Sequence, residues 1–250
     1  MPPSSSFDLS TWALLAVAAF CIGISKAGFS GASIISVFIF AKVLGAKESI
    51  GFALPMLIIA DLIVYPTYRK HSSWKAVWHL IWPALIGIII GVTVLSRADN
   101  LMMRKIIGAI ILSMAFIQII SKLNPDKFYA ITRTRRSGFI AGIIGGIATS
   151  LANEAGPVMR IYMISLRMDK MQLLGVSARF FLVINLIKLP LNSGLDLINT
   201  QTILINLALC PAIALGIFGG YKVVKITPQH VFQITVIAFA IVAGTGLCFF

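Results

Sequence analysis

Charged side chains are scarce in this chain: 12% of its 250 residues are Asp, Glu, Lys or Arg, and only 8 of these are acidic. A soluble globular domain carries about a quarter charged residues, so the deficit alone excludes that class. Cysteine and histidine are equally sparse, at 3 each. Cys21, Cys210 and Cys248 fall inside apolar stretches without the spacing of a metal or redox site, and read as small buried hydrophobes. His71, His79 and His230 lie near the ends of apolar segments, and no HExxH, Cys/His group or Ser-His-Asp set accompanies them. A membrane enzyme would therefore lack a visible nucleophile or metal. The sequence calls for no cofactor and no metal. Also missing is the polar/apolar alternation of a transmembrane barrel. Met1 to Ser10 has no basic n-region, so the first apolar segment is expected to be retained as structure rather than cleaved as a signal.

What the chain has in abundance is apolar surface, at 58% hydrophobic residues and a mean hydropathy of +0.96. A membrane span needs roughly 20 apolar residues. Ten apolar segments are legible, near 11–25, 29–44, 50–68, 76–96, 101–120, 137–151, 157–167, 171–191, 200–221 and 228–249. Lipid satisfies no backbone groups, so continuous apolar runs must be helices. The expected fold is all-α: a polytopic helical membrane protein whose single membrane domain spans residues 1–250.

The net charge of +13 does not indicate nucleic acid, because the basic residues sit between apolar segments rather than on a soluble face. One alternate set of loops holds Arg69, Lys70, Lys75, Lys122, Lys127, Arg133, Arg135, Arg136, Arg167, Lys170, Lys222 and Lys225. The opposite set holds Lys42, Lys47, Arg97, Arg104 and Lys105. Lys and Arg accumulate on the cytoplasmic side, which predicts a multi-pass protein of a bacterial inner membrane with both termini outside.

The two halves resemble each other. Gly51, Asp61 and Pro66 recur at identical spacing as Gly175, Asn185 and Pro190, and Pro83, Gly87 and Gly91 correspond to Pro211, Gly216 and Gly220 with one extra residue in the first gap. The spacing predicts a first repeat over 11–120, a cytoplasmic basic linker over 121–136 and a second repeat over 137–249. With five segments in each half, the second repeat enters the membrane inverted.

Each half opens on a pair of short segments broken by small residues: Lys26-Ala27-Gly28-Phe29-Ser30-Gly31 in the first, and Ser150-Leu151-Ala152-Asn153-Glu154-Ala155-Gly156-Pro157 in the second. Broken helices expose N–H groups at membrane depth, where an anion can bind. Lys26, Arg160, Arg179 and Lys188 fall in apolar stretches, where a charge costs at least about 2.5–3.5 kcal/mol and needs a reason. The expected anion site comprises Lys26, Gly28, Ser30, Gly31, Asn153, Gly156, Arg160 and Arg179. Ser33 and Ser150 are further hydrogen-bond donors, though Ser also fills helix breaks for capping alone. Arg160 suits either an anion or an ion pair with Glu154. Asp61 and Glu154 are candidate proton carriers and equally candidate partners for the basic residues. Lys188, nearer a helix end, reads as a structural residue reaching the interface.

Several of these stretches carry a family resemblance. Lys26 through Gly31, Gly51 to Pro66 with Asp61, Tyr68-Arg69-Lys70-His71 and Pro83-Ala84-Leu85-Ile86-Gly87 resemble the TauE/SafE family of sulfite and organosulfonate exporters. So do Ser137-Gly138-Phe139-Ile140-Ala141-Gly142, Gly156-Pro157 and the segment from Ser177-Ala178-Arg179-Phe180-Phe181 to Pro190. The resemblance runs from about residue 12 to 245. It implies a secondary transporter exporting sulfite, sulfonates or related small anions across the inner membrane. The second break, Ala152-Asn153-Glu154-Ala155-Gly156, departs from the glycine-rich pattern of that family. A passive anion channel would display the same features.

Overall fold

The structure is a computed structural model, and it describes residues 7–29, 31–226 and 229–249. The described residues form twelve α-helices and no strand. In order these are α1 (Leu9–Lys26), α2 (Ser33–Leu44), α3 (Ala46–Tyr68), α4 (Trp74–Arg97), α5 (Asn100–Leu123), α6 (Pro125–Thr132), α7 (Arg135–Ala152), α8 (Gly156–Ser165), α9 (Lys170–Ser193), α10 (Thr200–Ala208), α11 (Cys210–Ile226) and α12 (Gln229–Phe249). Five helices are long and apolar enough to cross a membrane, and α10 with α11 makes a sixth if that pair, bent by 46°, is one span.

Local chemistry sets several boundaries. Asp8, Asp99, Thr134, Asp169 and Asn199 each accept a bond from a backbone N–H in the first turn of α1, α5, α7, α9 and α10 respectively, and at Asp169 the bond is reciprocated by Gln172 as a capping box. Hydrogen bonds from Thr11 and Ser10 lower the exposed Asp8 carboxyl to about 2. The break between α1 and α2 needs Gly28 and Gly31, whose φ values of 125° and 106° a side chain would resist.

Two of the expected segments differ in the structure. The linker over 121–136 contains a helix, α6, which starts at Pro125, where the missing N–H is no loss. The segment at 200–221 breaks at Leu209, just before Pro211, which has no N–H to donate; its counterpart Pro83 is carried inside an unbroken α4, so the proline alone does not make the break.

Helices pack in reciprocal pairs: α1 against α11, α4 against α7, α3 against α9 and α5 against α12. Glycines permit the closest approaches. A Cβ on Gly87 or Gly146 would strike the facing backbone of α7 or α4, and one on Gly23 or Gly216 would strike α11 or α1. Polarity is inside out relative to a soluble protein. Asp61, Glu154, Asn185, Lys188 and Asn192 are buried, while Trp82, Ile89, Leu215, Phe218 and Val242 are exposed on the periphery. An apolar belt around a polar interior suits lipid as the solvent.

Candidate functional site

The two helix breaks meet at the centre of the bundle. The Ser25 hydroxyl donates to Ser33 Oγ at 3.2 Å, and Ser33 in turn donates to the Glu154 carboxylate, joining the first break to the second. Lys26 pairs with Asp61 at 2.6 Å and lies 4.7 Å from the centre of the Phe181 ring. The other Asp61 oxygen accepts from the Asn185 amide at 2.8 Å. Asp61 and Asn185 are 124 residues apart, so the two positions matched in the sequence halves touch each other.

These groups wall a cavity of about 330 Å³. Lys26, Gly28, Asp61, Asn153, Glu154, Gly156 and Arg160 all line it, as do Ser25, Ser33, Thr149 and Ala155. From the breaks it extends along Arg160, Ile164 and Met168, and along Leu173, Leu174 and Ser177 at the start of α9. It thus runs toward the end of the molecule that carries the Arg167–Lys170 connection. On the other side of the breaks, Ser49, Ile50 and Ala53 of α3 and Val37 and Phe40 of α2 enclose a crevice of only about 10 Å³.

Four ionisable side chains line the cavity: Lys26, Asp61, Glu154 and Arg160. The charge of Lys26 is matched by Asp61, and Glu154 is occupied by Ser33. None of the described carboxylates pairs with Arg160, which faces the cavity. Beside it is the start of α8, where Ala155 gives no side-chain cap and Pro157 occupies the first turn, so the Gly156 and Val158 N–H groups have no side-chain acceptor there. A cation and the positive end of a helix dipole therefore converge on one wall.

Two sequence-predicted residues, Gly31 and Arg179, are not part of this lining, and a third is not described. Gly31 packs against Val236 of α12 instead. Ser30 lies outside the described residues. Arg179 reaches the other way: its guanidinium donates to the Arg69 carbonyl at the end of α3 and stacks 4.7 Å from the Trp74 ring. The reason is helical register. Leu174, Ala178, Phe181, Asn185 and Lys188 form the inward stripe of α9, and Arg179 lies roughly 100° or more around the helix from it.

Lys188 does not reach an interface but is fully buried in that stripe, held by Thr149 and Asn153. Thr149 and Asn185 were not predicted as site residues. Their signals were Thr149 four residues before Asn153, on one helix face, and Asn185 three before Lys188.

The family model described as sulfite exporter TauE/SafE matches residues 15–247. Neither the curated proteins nor the solved structures give a match.

Proposed function

The chain belongs to the sulfite exporter TauE/SafE family of membrane transporters, and from that premise we propose that it is a secondary carrier for a small oxyanion such as sulfite or a sulfonate. The observation that carries this reading is the cavity in which Arg160, with no ion pair among the described residues, and the uncapped start of α8 face the same space. Arg160 and the α8 N–H groups bind the anion, Lys26 adds positive potential, and Asn153, Gly28 and Gly156 shape the wall. Glu154 is the candidate to carry a coupling proton, since it lines the cavity without a cationic partner within bonding distance among the described residues. Asp61 is the structural partner of Lys26 in this reading.

A carrier is favoured over a passive channel by the asymmetry of the two spaces. Leu173, Leu174 and Ser177 line the open cavity, and residues 124 earlier, Ser49, Ile50 and Ala53, line the closed crevice. In an inverted repeat over 11–120 and 137–249, those are equivalent positions on opposite faces, one open and one shut. The reciprocal packing of α1 on α11 and of α4 on α7 supports that repeat. By the distribution of basic loops, the open face is cytoplasmic, as export requires of the loading state, and both termini are outside.

Counterflow in proteoliposomes tests the proposal. Internal unlabelled sulfite should accelerate saturable uptake of labelled sulfite, and Arg160→Ala should lose both this exchange and sulfite-dependent thermal stabilisation while remaining folded. Flux without saturation or trans-stimulation would establish a pore instead.

A further inference from the structure

Lys188 is sealed behind the cavity wall at 0% exposure. Its ammonium donates to the Thr149 carbonyl at 2.6 Å, to Thr149 Oγ1 at 3.1 Å and to Asn153 Oδ1 at 2.6 Å. All three acceptors are neutral oxygens. The nearby carboxylates are committed elsewhere, Asp61 to Lys26 and Asn185, and Glu154 to Ser33. A buried cation held without a carboxylate needs another source of negative potential. The source in direct contact is the end of α7: Thr149 belongs to its last turn, and Asn153 is its left-handed cap with φ 52°. Carbonyls at a helix C-terminus carry the negative end of the dipole.

A carbonyl in the last turn before a helix break, a hydroxyl and a side-chain amide oxygen are also the ligands a small monovalent metal cation takes inside a membrane protein. The cage is held in place independently of Lys188, because the Asn153 amide donates to the Ile50 carbonyl at 2.9 Å and its backbone N–H to the Thr149 carbonyl at 3.1 Å. Lys188 approaches from α9, whereas the cage belongs to α7 and its break, so the ammonium is a guest of another helix.

We infer that the Thr149–Asn153 cage is a monovalent-cation site permanently filled by the tethered ammonium of Lys188, so that no dissociable sodium ion is needed there. Lys188→Ala vacates the cage and turns a fixed charge into a binding site. The consequence for coupling rests on the carrier reading given above; the cation site itself does not.

The test is thermal unfolding of the purified protein in choline chloride against sodium, potassium and ammonium chloride at equal ionic strength. The unsubstituted protein should unfold at one temperature in all four. Lys188→Ala should unfold lower in choline and recover part of the loss, saturably, in sodium or ammonium. Adding Thr149→Val, which removes one cage oxygen, should weaken that recovery. Should Lys188→Ala not fold, Lys188→Ser, which leaves a further oxygen in the vacated space, is read in the same way. Equal unfolding temperatures of the folded variant in every salt, or an equal shift in the unsubstituted protein, would overturn the inference. Absence of counterflow by the unsubstituted protein defeats the carrier reading alone, since cation-dependent unfolding is measured without transport.

Discussion

Replacing Asp61 by alanine should destabilise the protein by about 4 kcal/mol, and the size follows from its two partners. The carboxylate is 2% exposed, with Lys26 at 2.6 Å on one oxygen and Asn185 at 2.8 Å on the other. Removing one member of a buried ion pair costs roughly 3–5 kcal/mol, because the remaining charge loses its compensation. The orphaned Asn185 amide adds about 1–3 kcal/mol if it finds no other acceptor. Lys26 moderates the total, since its side chain is 13% exposed toward the cavity and keeps its contact with Phe181. A net loss near the lower end of the sum follows.

The double variant Lys26→Met, Asp61→Leu removes both charges and keeps the volume, so it should regain most of that stability. The assay is an SDS unfolding titration in mixed micelles on the unsubstituted protein, both single variants and the double. A cost below about 1 kcal/mol for Asp61→Ala, or a double variant as unstable as the sum of the singles, would refute a structural pairing of Lys26 with Asp61.

Gly87→Ala and Gly146→Ala should each cost about 1–3 kcal/mol, because the new methyl falls on the opposing backbone and α4 and α7 must part. Gly219→Ala is the control, since its methyl meets only the Phe20 ring at 3.9 Å; equal losses at all three sites would remove the close-approach argument. Arg179→Ala should retain sulfite-dependent stabilisation while losing about 1–2 kcal/mol, as a latch to the Arg69 carbonyl and Trp74 is lost. Loss of sulfite binding by a folded Arg179→Ala variant would return Arg179 to the site.

A pH titration distinguishes the cap of α1 from the interior. With hydrogen bonds holding Asp8 down to about 2, its cap contributes fully above the ordinary carboxylate range and is lost only as pH falls through about 2. NMR of the Asp8 side chain should therefore give a midpoint near 2; a midpoint near 4 would mean that the cap is not formed in solution.

That the chain is helical and sits in a membrane was legible in composition and run length alone. The apolar runs are too long and continuous for strands, and charge is too scarce for water. The positions of the two breaks were equally legible, since Gly28, Gly31, Asn153, Gly156 and Pro157 act on their own stretch of backbone. Shared spacing from Gly51 and Gly175 also singled out Asp61 and Asn185, whose side chains touch in the structure.

Which cations face the cavity was decided only by the tertiary structure. Arg160, Arg179 and Lys188 look alike in a linear sequence, each a basic residue in an apolar run. Their roles diverge because a helix turns about 100° per residue, so a position on α9 faces the centre, a neighbouring helix or an interface according to how that helix is rotated in the bundle. That rotation is fixed by packing against α3, α4 and α8, and no local property of residues 177–188 records it. Arg179 turned toward Arg69 and Trp74, Lys188 toward the end of α7, and Arg160 on α8 faces the cavity with no ion pair among the described residues. The break at Leu209 and the helix within 125–132 were likewise settled by context: Pro211 and Pro83 hold similar places in the sequence pattern, yet the chain breaks with a 46° bend just before one and the helix continues through the other.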